Sequence, residues 1–373
     1  MLVGIPKEIK NHEYRVGLTP ISVQELIGHG HKVLVETQAG AAIGFTDDDY
    51  KAAGAEIVNS AKEVFASAEL IIKVKEPQVI ERQMLRSEQT LFTYLHLAPD
   101  APQTNDLIVS GATCIAYEMV TDKDGRLPLL APMSEVAGRM SIQAGAHCLE
   151  KYCGGRGVLL GGVPGVEPAK VVILGGGVVG ASAAAMAVGM GADVVILDRS
   201  IDALRRLDAH YGNRIKTVYS TSATIEEHVV NADLVIGGVL IPGATAPKLI
   251  SRELVSRMKS GSVIVDVAVD QGGCVETSHP TTHQDPVFTV DGVVHYCVAN
   301  MPGAVARTST IALNNATLPF VLELANKGTR RALDENPHLL NGLSVCRGVV
   351  TCEHVSTAQG LEYRTPESML REI

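Results

Sequence analysis

The sequence predicts an α/β protein of two domains, each built on a mostly parallel β-sheet covered by helices. Short apolar segments alternate with helical segments in two separate series along the chain. The chain has 373 residues, which is more than one ordinary hydrophobic core accommodates. Aromatic residues make up only 4% of it, so we expect cores of valine, isoleucine, leucine and alanine, as in buried parallel strands.

The first series occupies the N-terminal third of the chain. Thr19 followed by Pro20 is typical of a helix start, because threonine caps the first turn and proline has no N–H to lose there. Strands are expected at residues 2–6, 32–36, 56–58, 70–74, 90–95 and 113–117. Helices are expected at 20–30, 47–53 and 61–68, and between the later strands.

A polar, proline-containing segment at 122–128 follows the first series and is predicted to be a hinge. Ser134 and Glu135 then predict the start of a long helix that runs to about residue 151. The second series is predicted to have strands at 171–174, 193–197, 218–220, 234–237, 262–267 and 295–297. Its helices are expected at 178–190, 201–209, 225–231 and 308–326. Residues 330–373 lack a strong apolar periodicity and are expected to be helical or irregular.

Composition argues against several classes of function. The net charge of −9 disfavours a nucleic-acid partner, because phosphate binding needs a basic face. The seven cysteines are odd in number and form no C-x-x-C pair, which favours thiols in a reducing compartment over disulfides or a zinc site. Residues 171–192 carry no charge, but turn glycines interrupt them, so we expect no membrane span. The N-terminal residues lack an apolar signal region, so a cytoplasmic location is expected.

A glycine-rich turn carries the strongest local signal. Gly175, Gly177 and Gly180 follow an apolar strand directly and open a helix of small residues. The first glycine permits the sharp turn, the second lets N–H groups approach a pyrophosphate, and the third lets helix and strand pack closely. Asp198 ends the next strand, where it can accept hydrogen bonds from ribose hydroxyls and repel a 2′-phosphate. The pattern therefore predicts dinucleotide binding, with NAD favoured over NADP although Arg199 partly offsets the acid; the alternative is a glycine-rich turn without a ligand.

Several polar side chains at predicted strand ends are candidates for chemistry. His96 can pass protons near neutral pH, although a hydrogen-bonded structural histidine is the ordinary alternative. Lys73 and Lys75 end another strand, where a lysine can anchor a substrate carboxylate or simply lie at the surface. Arg15 can grip a carboxylate with two parallel hydrogen bonds, or can be a solvent-exposed loop arginine.

Two further segments of the second series are candidates. Asp270 follows a predicted strand and precedes a glycine turn, as in a catalytic loop, whereas Asp266 lies inside the strand and is expected to be structural. Asn300 and Met301 follow the last strand, where the amide can hold a nicotinamide carboxamide or serve as an ordinary turn residue.

Together these motifs resemble the alanine dehydrogenase family over nearly the whole chain. The opening of the chain is also similar to that of proton-translocating transhydrogenases and saccharopine dehydrogenases. The motifs that carry the resemblance are Gly4-Ile5-Pro6-Lys7-Glu8, Glu13-Tyr14-Arg15-Val16, Thr19-Pro20, Lys73-Val74-Lys75-Glu76-Pro77, Phe92-Thr93-Tyr94-Leu95-His96-Leu97, Ala131-Pro132-Met133-Ser134-Glu135-Val136-Ala137-Gly138, Gly161-Gly162-Val163-Pro164-Gly165-Val166 and Asp270-Gln271-Gly272-Gly273-Cys274.

The resemblance implies reversible oxidative deamination of L-alanine to pyruvate and ammonium with NAD. It assigns substrate binding to Arg15 and Lys75 and acid–base chemistry to His96 and Asp270. Together with the glycine turn, the expected cofactor contacts are Ser134, Gly175, Gly177, Val178, Val179, Gly180, Asp198, Ser220, Val239, Leu240, Val267, Ala268, Val269, Asp270, Val298, Asn300 and Met301.

The resemblance also implies an architecture of two Rossmann-like, doubly wound domains with a cleft between them, assembled as a homohexamer. We expect a discontinuous substrate domain at 1–128 and 307–373 and an NAD-binding domain at 129–306. The chain departs from the family at Ala203, where some members carry a basic residue near the ribose. It also departs at Lys327, where some members have a histidine proposed to join Glu118 at a metal, so we predict no metal site.

Two other functions remain open at this point. A transhydrogenase-like subunit would bind NAD(H) without amino-acid chemistry, and would lack the pair formed by His96 and Lys75 and need a membrane partner. A non-catalytic NAD-sensing module would bind the cofactor and turn over nothing.

Overall fold

The computed structural model describes residues 1–239 and 246–373, which form two compact units. The first unit comprises Met1–Met133 and Val305–Ile373, and the second comprises Ser134–Ala304. No helix of the described residues is both long and apolar enough to cross a membrane.

The strands are β1 (Leu2–Ile5), β2 (Lys32–Glu36), β3 (Glu56–Val58), β4 (Leu70–Ile72), β5 (Thr90–Thr93), β6 (Thr113–Ala116), β7 (Lys170–Leu174), β8 (Asp193–Asp198), β9 (Ile215–Tyr219), β10 (Leu234–Gly237), β11 (Val263–Asp266), β12 (Val287–Val290), β13 (Val293–Tyr296), β14 (Leu343–Cys346) and β15 (Val349–Val350). The helices are α1 (Pro20–Gly28), α2 (Asp47–Ala52), α3 (Ala61–Ser67), α4 (Val79–Arg82), α5 (Ala101–Ser110), α6 (Ala131–Cys148), α7 (Val178–Gly189), α8 (Ile201–Tyr211), α9 (Ser222–Val230), α10 (Arg252–Ser256), α11 (Ala306–Lys327), α12 (Thr329–Glu335), α13 (Pro337–Leu340), α14 (Glu353–Gln359) and α15 (Pro366–Met369).

The sheet of the first unit has the order β15-β14-β6-β5-β4-β1-β2-β3. Strands β1 to β6 pair in parallel, with β1 between β2 and β4. The parallel pairing follows from the crossover helices, such as α1, whose first turn is capped by the Thr19 side chain as the sequence predicts. The chain reverses its direction of growth at β1, which is the doubly wound pattern.

The C-terminal segment differs from expectation. Residues 330–373 were expected to be helical or irregular, but β14 pairs antiparallel with β6 and with β15. Every residue of β14 is buried, but the strand has only four residues and includes the polar Ser344, so it lacks the apolar run by which the other buried strands were recognised.

The sheet of the second unit has the order β12-β13-β11-β10-β7-β8-β9, and β13 to β9 in this order are parallel. The direction of growth reverses at β7, so the carboxyl ends of β7 and β10 border the switch point where such folds bind ligands. The prediction of two Rossmann-like, doubly wound units is confirmed.

In this part of the chain the bounds of one helix differ from the prediction, and one strand was not predicted. The helix expected from Ser134 begins at Ala131 and ends at Cys148, because Pro132 needs no N–H partner in a first helical turn and therefore does not delay the start. An additional strand, β12, pairs antiparallel with β13. Its side chains are partly exposed and show no clear alternation, which explains why the pattern did not reveal it.

Candidate active site

Lys75 and His96 follow neighbouring strands of the first unit at their carboxyl ends. Strands β4 and β5 pair in parallel register, with Ile72 opposite Phe92. Just beyond them the Tyr94 N–H donates to the Val74 carbonyl at 3.3 Å. The Thr93 hydroxyl donates to the Lys75 carbonyl at 3.0 Å. The two candidate residues therefore lie on adjoining chain segments at one edge of the sheet.

The structure distinguishes Lys73 from Lys75, which the residue pattern separated only by position and of which the family resemblance selected Lys75. Lys73 is completely buried, with its Nζ 3.0 Å from Glu8 Oε2 and 2.7 Å from Glu81 Oε1. Burial alone would lower the pKa of Lys73, but the two carboxylates outweigh it and raise that pKa. Lys75 is only partly buried, and its charge helps to lower the pKa of Glu76 against the effect of burial. Lys73 is thus engaged within the fold, and Lys75 is the better candidate for contact with a substrate.

Arg15 is buried and held by Glu13. It is 2% exposed, so it is not a solvent-exposed loop arginine. Its Nε donates to Glu13 Oε1 at 2.6 Å and its Nη2 to Glu13 Oε2 at 2.5 Å, while Nη1 lies 3.1 Å from Met133 Sδ. Burial would lower the pKa of Arg15, yet the hydrogen bonds and charge of Glu13 raise it. One edge of the guanidinium is therefore hydrogen-bonded to Glu13, and this contact fixes the orientation of the whole guanidinium group.

His96 sits in a strained turn that Glu118 holds in place. Its φ of 49° lies in the left-handed region, which few residues other than glycine adopt. Glu118 Oε1 accepts the His96 backbone N–H at 2.6 Å, and both Glu118 oxygens lie 3.2 Å from the Leu95 nitrogen. The same Oε1 lies 3.7 Å from His96 Nδ1, and the Tyr94 ring stacks on the imidazole at 5.7 Å between centroids.

The His96 side chain is 46% exposed. Its backbone is fixed by Glu118, but its imidazole ring remains accessible to solvent. Sequence reasoning missed the contribution of Glu118 to this arrangement. A signal was present, since Glu118 lies just after β6, and β6 neighbours β5 in the sheet.

In the second unit the glycine turn has the geometry of a dinucleotide cradle. Gly175 has a φ of 101°, and a Cβ at Gly180 would clash with the Gly175 carbonyl oxygen. A Cβ at Gly177 would meet no protein atom within 4 Å, so the helix start faces open space. Gly177 is the N-cap of α7 and supplies no side-chain acceptor to its first turn. The N–H groups there can donate hydrogen bonds to a phosphate, as the predicted role of the turn requires.

Asp198 is tied to this turn from the end of β8. Its Oδ2 accepts the Gly176 N–H at 2.5 Å, and its Oδ1 accepts the Ser200 N–H at 2.6 Å. The Ser220 N–H donates to the Asp198 carbonyl at 3.0 Å, which places the predicted contact Ser220 beside it. Val239, at the end of β10, approaches Gly175 closely. Leu240, also predicted to contact the cofactor, lies outside the described residues.

Asp270 lies in a 3₁₀ turn, Val267–Gln271, that follows β11. Asp266 supports this segment, because its Oδ1 accepts the Ala268 N–H at 3.2 Å and its Oδ2 accepts the Cys274 N–H at 3.0 Å. Burial raises the pKa of Asp266, although hydrogen bonds to its carboxylate oppose the rise. The structure thus gives Asp266 the supporting role that the sequence predicts.

Asn300 lies next to Asp270. Its φ is 64°, its N–H lies 3.5 Å from Asp270 Oδ2, and its carbonyl oxygen is 3.1 Å from His283 Nε2. Of the remaining predicted cofactor contacts, Val298 and Met301 are buried near the end of β13, and Ser134 is a partly exposed residue of α6. Among the described residues no group of three or more His, Cys, Asp or Glu side chains is arranged to hold a metal ion.

Comparisons with known proteins place these features in a family. Residues 4–137 match the model of the N-terminal domain of alanine dehydrogenase/PNT, and residues 141–353 match that of its C-terminal domain. The chain belongs to the alanine dehydrogenase/PNT family. The family resemblance inferred from the motifs is confirmed.

Members of the alanine dehydrogenase/PNT family resemble the chain over its full length. An alanine dehydrogenase of Halomonas elongata is 59% identical over 99% of this chain and 100% of its own. An alanine dehydrogenase of Methanococcus maripaludis is 57% identical over the whole of both chains. A solved L-alanine dehydrogenase superposes with a TM-score of 0.93 at 55% identity, covering 96% of this chain and 99% of that one.

The transhydrogenase branch of the family is more distant. The structure of a transhydrogenase from Sinorhizobium meliloti superposes with a TM-score of 0.81 at 25% identity, over 95% of this chain and 99% of that one. The fold alone does not separate the two branches, so the distinction depends on the identity of the site residues.

Proposed function

We propose that this protein catalyses the reversible oxidative deamination of L-alanine to pyruvate and ammonium with NAD. The observation that carries the proposal is the placement of Lys75 and His96 at the ends of adjoining strands, in a unit that also buries a fixed Arg15. The relatives named alanine dehydrogenase, at 53–59% identity over the full length, support the same reaction.

The residues of the second unit fit a dinucleotide. The open helix start at Gly177 offers N–H groups to a pyrophosphate, and Val178 and Val179 continue that first turn. The predicted contacts follow the carboxyl ends of β8, β9, β10, β11 and β13, which are parallel strands of one sheet. Asp198 supports NAD over NADP, because a carboxylate beside the ribose repels a 2′-phosphate.

In this proposal Arg15 and Lys75 bind the carboxylate of alanine or pyruvate and the carbonyl oxygen of pyruvate. Two cations favour the carboxylate of alanine and stabilise negative charge that develops on the oxygen of the later intermediate. Glu13 holds the Arg15 guanidinium, so little rotational freedom is lost when the substrate binds.

His96 and Asp270 move the protons. NAD, when bound, would supply the hydride acceptor, and loss of hydride from the α-carbon of the neutral amine leaves an iminium. Water adds to this iminium carbon, and His96 accepts the proton that the water gives up. That proton returns to the nitrogen of the resulting carbinolamine, ammonia leaves as the hydroxyl gives up its proton, and pyruvate remains. Asp270, in the 3₁₀ turn after β11, is the second proton-transfer group of this proposal.

An assay of NADH formation with a panel of amino acids tests the proposal. Turnover with L-alanine and the appearance of pyruvate and ammonium are expected. A transhydrogenase-like carrier or an NAD-sensing module binds NADH without turning over any amino acid, so binding without turnover would favour these alternatives.

We also propose that the enzyme is a cytoplasmic homohexamer. The odd number of cysteines without a C-x-x-C pair supports a reducing compartment. Sedimentation velocity of the purified protein tests the assembly, and a species of another size would contradict it.

A further inference from the structure

Three charged side chains, Glu8, Lys73 and Glu81, form a buried cluster at the carboxyl end of β4. The Lys73 ammonium contacts both carboxylates, at 3.0 Å for Glu8 and 2.7 Å for Glu81. Lys73 and Glu81 are completely buried, and Glu8 is 6% exposed. Because taking charges out of water is costly, a buried ion pair is weak evidence for a stabilising role alone.

The carboxylates of Glu8 and Glu81 differ in the hydrogen bonds that the oxygen not bound to Lys73 accepts. Glu8 Oε1 accepts the backbone N–H of Val74 at 2.7 Å and that of Lys75 at 3.3 Å. Glu81 Oε2 instead accepts the Gln78 N–H at 2.7 Å, at the start of α4. Both carboxylates therefore share one ammonium, but only Glu8 contacts the backbone of Lys75.

Glu8 contacts the segment after β4, where the backbone N–H groups are no longer part of the regular strand. Strand β4 ends at Ile72, and the chain continues toward Pro77 without a regular strand or helix. Glu8 supplies an acceptor for two successive N–H groups beyond the strand, and the Thr93 hydroxyl holds the Lys75 carbonyl from the other side at 3.0 Å. The attachment point of the Lys75 side chain is thereby fixed.

We propose that Glu8 is a positioning residue for substrate binding, whose carboxylate, anchored by Lys73, fixes the backbone from which Lys75 reaches the substrate. This inference rests on the proposed role of Lys75. A lysine has a flexible four-carbon stem, so the position of its ammonium depends on how firmly its backbone is held. A misplacement of such a group by about 1 Å can cost up to about 10²-fold in activity.

Glu8→Gln and Glu81→Gln form a matched pair for the test, because each removes one buried carboxylate from the same ammonium. In Glu8→Gln we expect the KM for L-alanine and for pyruvate to rise about tenfold, as expected for a weakened charge-assisted contact. The KM for NAD should be unchanged and kcat should change less. Glu81→Gln should lower the thermal unfolding temperature similarly, yet keep the wild-type KM for L-alanine.

Equal KM changes in the two variants, or no change in Glu8→Gln, would overturn the inference. If Glu8→Gln does not fold, Glu8→Asp replaces it in the comparison. Asp keeps the charge but is one carbon shorter, so it cannot hold Lys73 and both N–H groups. The same selective rise in KM is expected, and a wild-type KM would overturn the inference.

Lys75→Met separates this inference from the proposed function. An unchanged KM for L-alanine in Lys75→Met would contradict the role of Lys75 and, with it, the role of Glu8. A raised KM in Lys75→Met together with a wild-type KM in folded Glu8→Gln would contradict the positioning role alone.

Discussion

At the scale of single residues, each of the three basic residues expected to contact the substrate is hydrogen-bonded to a glutamate. Glu13 holds Arg15, Glu8 holds the backbone of Lys75, and Glu118 holds the turn of His96. The sequence identified the three basic residues from their places near strand ends and in known motifs. It did not identify the three acids as partners, because their contacts depend on side-chain directions that a pattern of residue types does not contain. Only Glu118 carried a signal, which is its place just after β6.

Glu118 is expected to act through His96. Glu118→Gln should lower kcat for deamination about tenfold, because the imidazole loses a fixed charged neighbour, and the KM for NAD should not change. Steady-state kinetics of a double-mutant cycle with His96→Ala checks this. If Glu118→Gln lowers activity as much in the His96→Ala background as in the wild type, Glu118 does not act through His96.

Asp198 is expected to set the preference for NAD. Asp198→Ser should lower the ratio of kcat/KM for NAD to kcat/KM for NADP by about tenfold. The repulsion of a 2′-phosphate is lost in this variant, while Arg199 remains. Asp202→Ser is the control, because Asp202 is an exposed carboxylate of the neighbouring helix α8 that pairs with Arg205. A coenzyme ratio that is unchanged in Asp198→Ser, or equally changed in both variants, would contradict this role.

At the scale of elements, the turn between β7 and α7 was predictable in detail because steric constraints on the backbone require its glycines. The left-handed Gly175 and the contact at Gly180 are consequences of backbone geometry, which the motif encodes directly. Strand β12 was not predicted because its partly exposed side chains show no clear alternation. Strand β14 was not predicted because it has only four residues, including the polar Ser344, and so lacks the apolar run by which the other buried strands were recognised.

Gly180→Ala should weaken dinucleotide binding, because the new Cβ would push the start of α7 away from the Gly175 carbonyl. We expect the Kd for NADH to rise at least about tenfold, measured by the change in NADH fluorescence on binding. Gly189→Ala is the matched control, since it lies in the same helix and its Cβ would meet no atom within 4 Å. Equal affinities in the two variants would refute the steric explanation.

Val345→Ala tests the contribution of β14 to the first unit. Val345 is completely buried and pairs with β6 and β15, so its truncation should lower the free energy of unfolding by about 2 kcal/mol. Denaturant unfolding measures the change. Val109→Ala, at a side chain of α5 that is 85% exposed, should leave the stability within about 0.5 kcal/mol of wild type. Similar losses in both variants would show that β14 is not part of the core.

At the scale of the whole molecule, the alternation of strands and helices in the sequence predicts two mostly parallel sheets covered by helices. The doubly wound order of the strands was implied by the family resemblance, and both sheets have it. The chemistry could not be predicted from the fold, because the alanine dehydrogenase/PNT family contains proteins with different reactions on it. The proposed function therefore depends on the proposed roles of Arg15, Lys75, His96 and Asp270.

The most direct test of the proposed reaction is a steady-state assay of the wild-type protein and its His96→Ala variant with L-alanine and NAD. We predict NADH formation by the wild type with equal amounts of pyruvate and ammonium. In the folded variant the rate should fall by about 10²–10⁴-fold, which is the usual contribution of general acid–base catalysis. Wild-type protein that turns over no amino acid, or a His96→Ala variant with the wild-type rate, would contradict the proposed function or the catalytic role of His96, respectively.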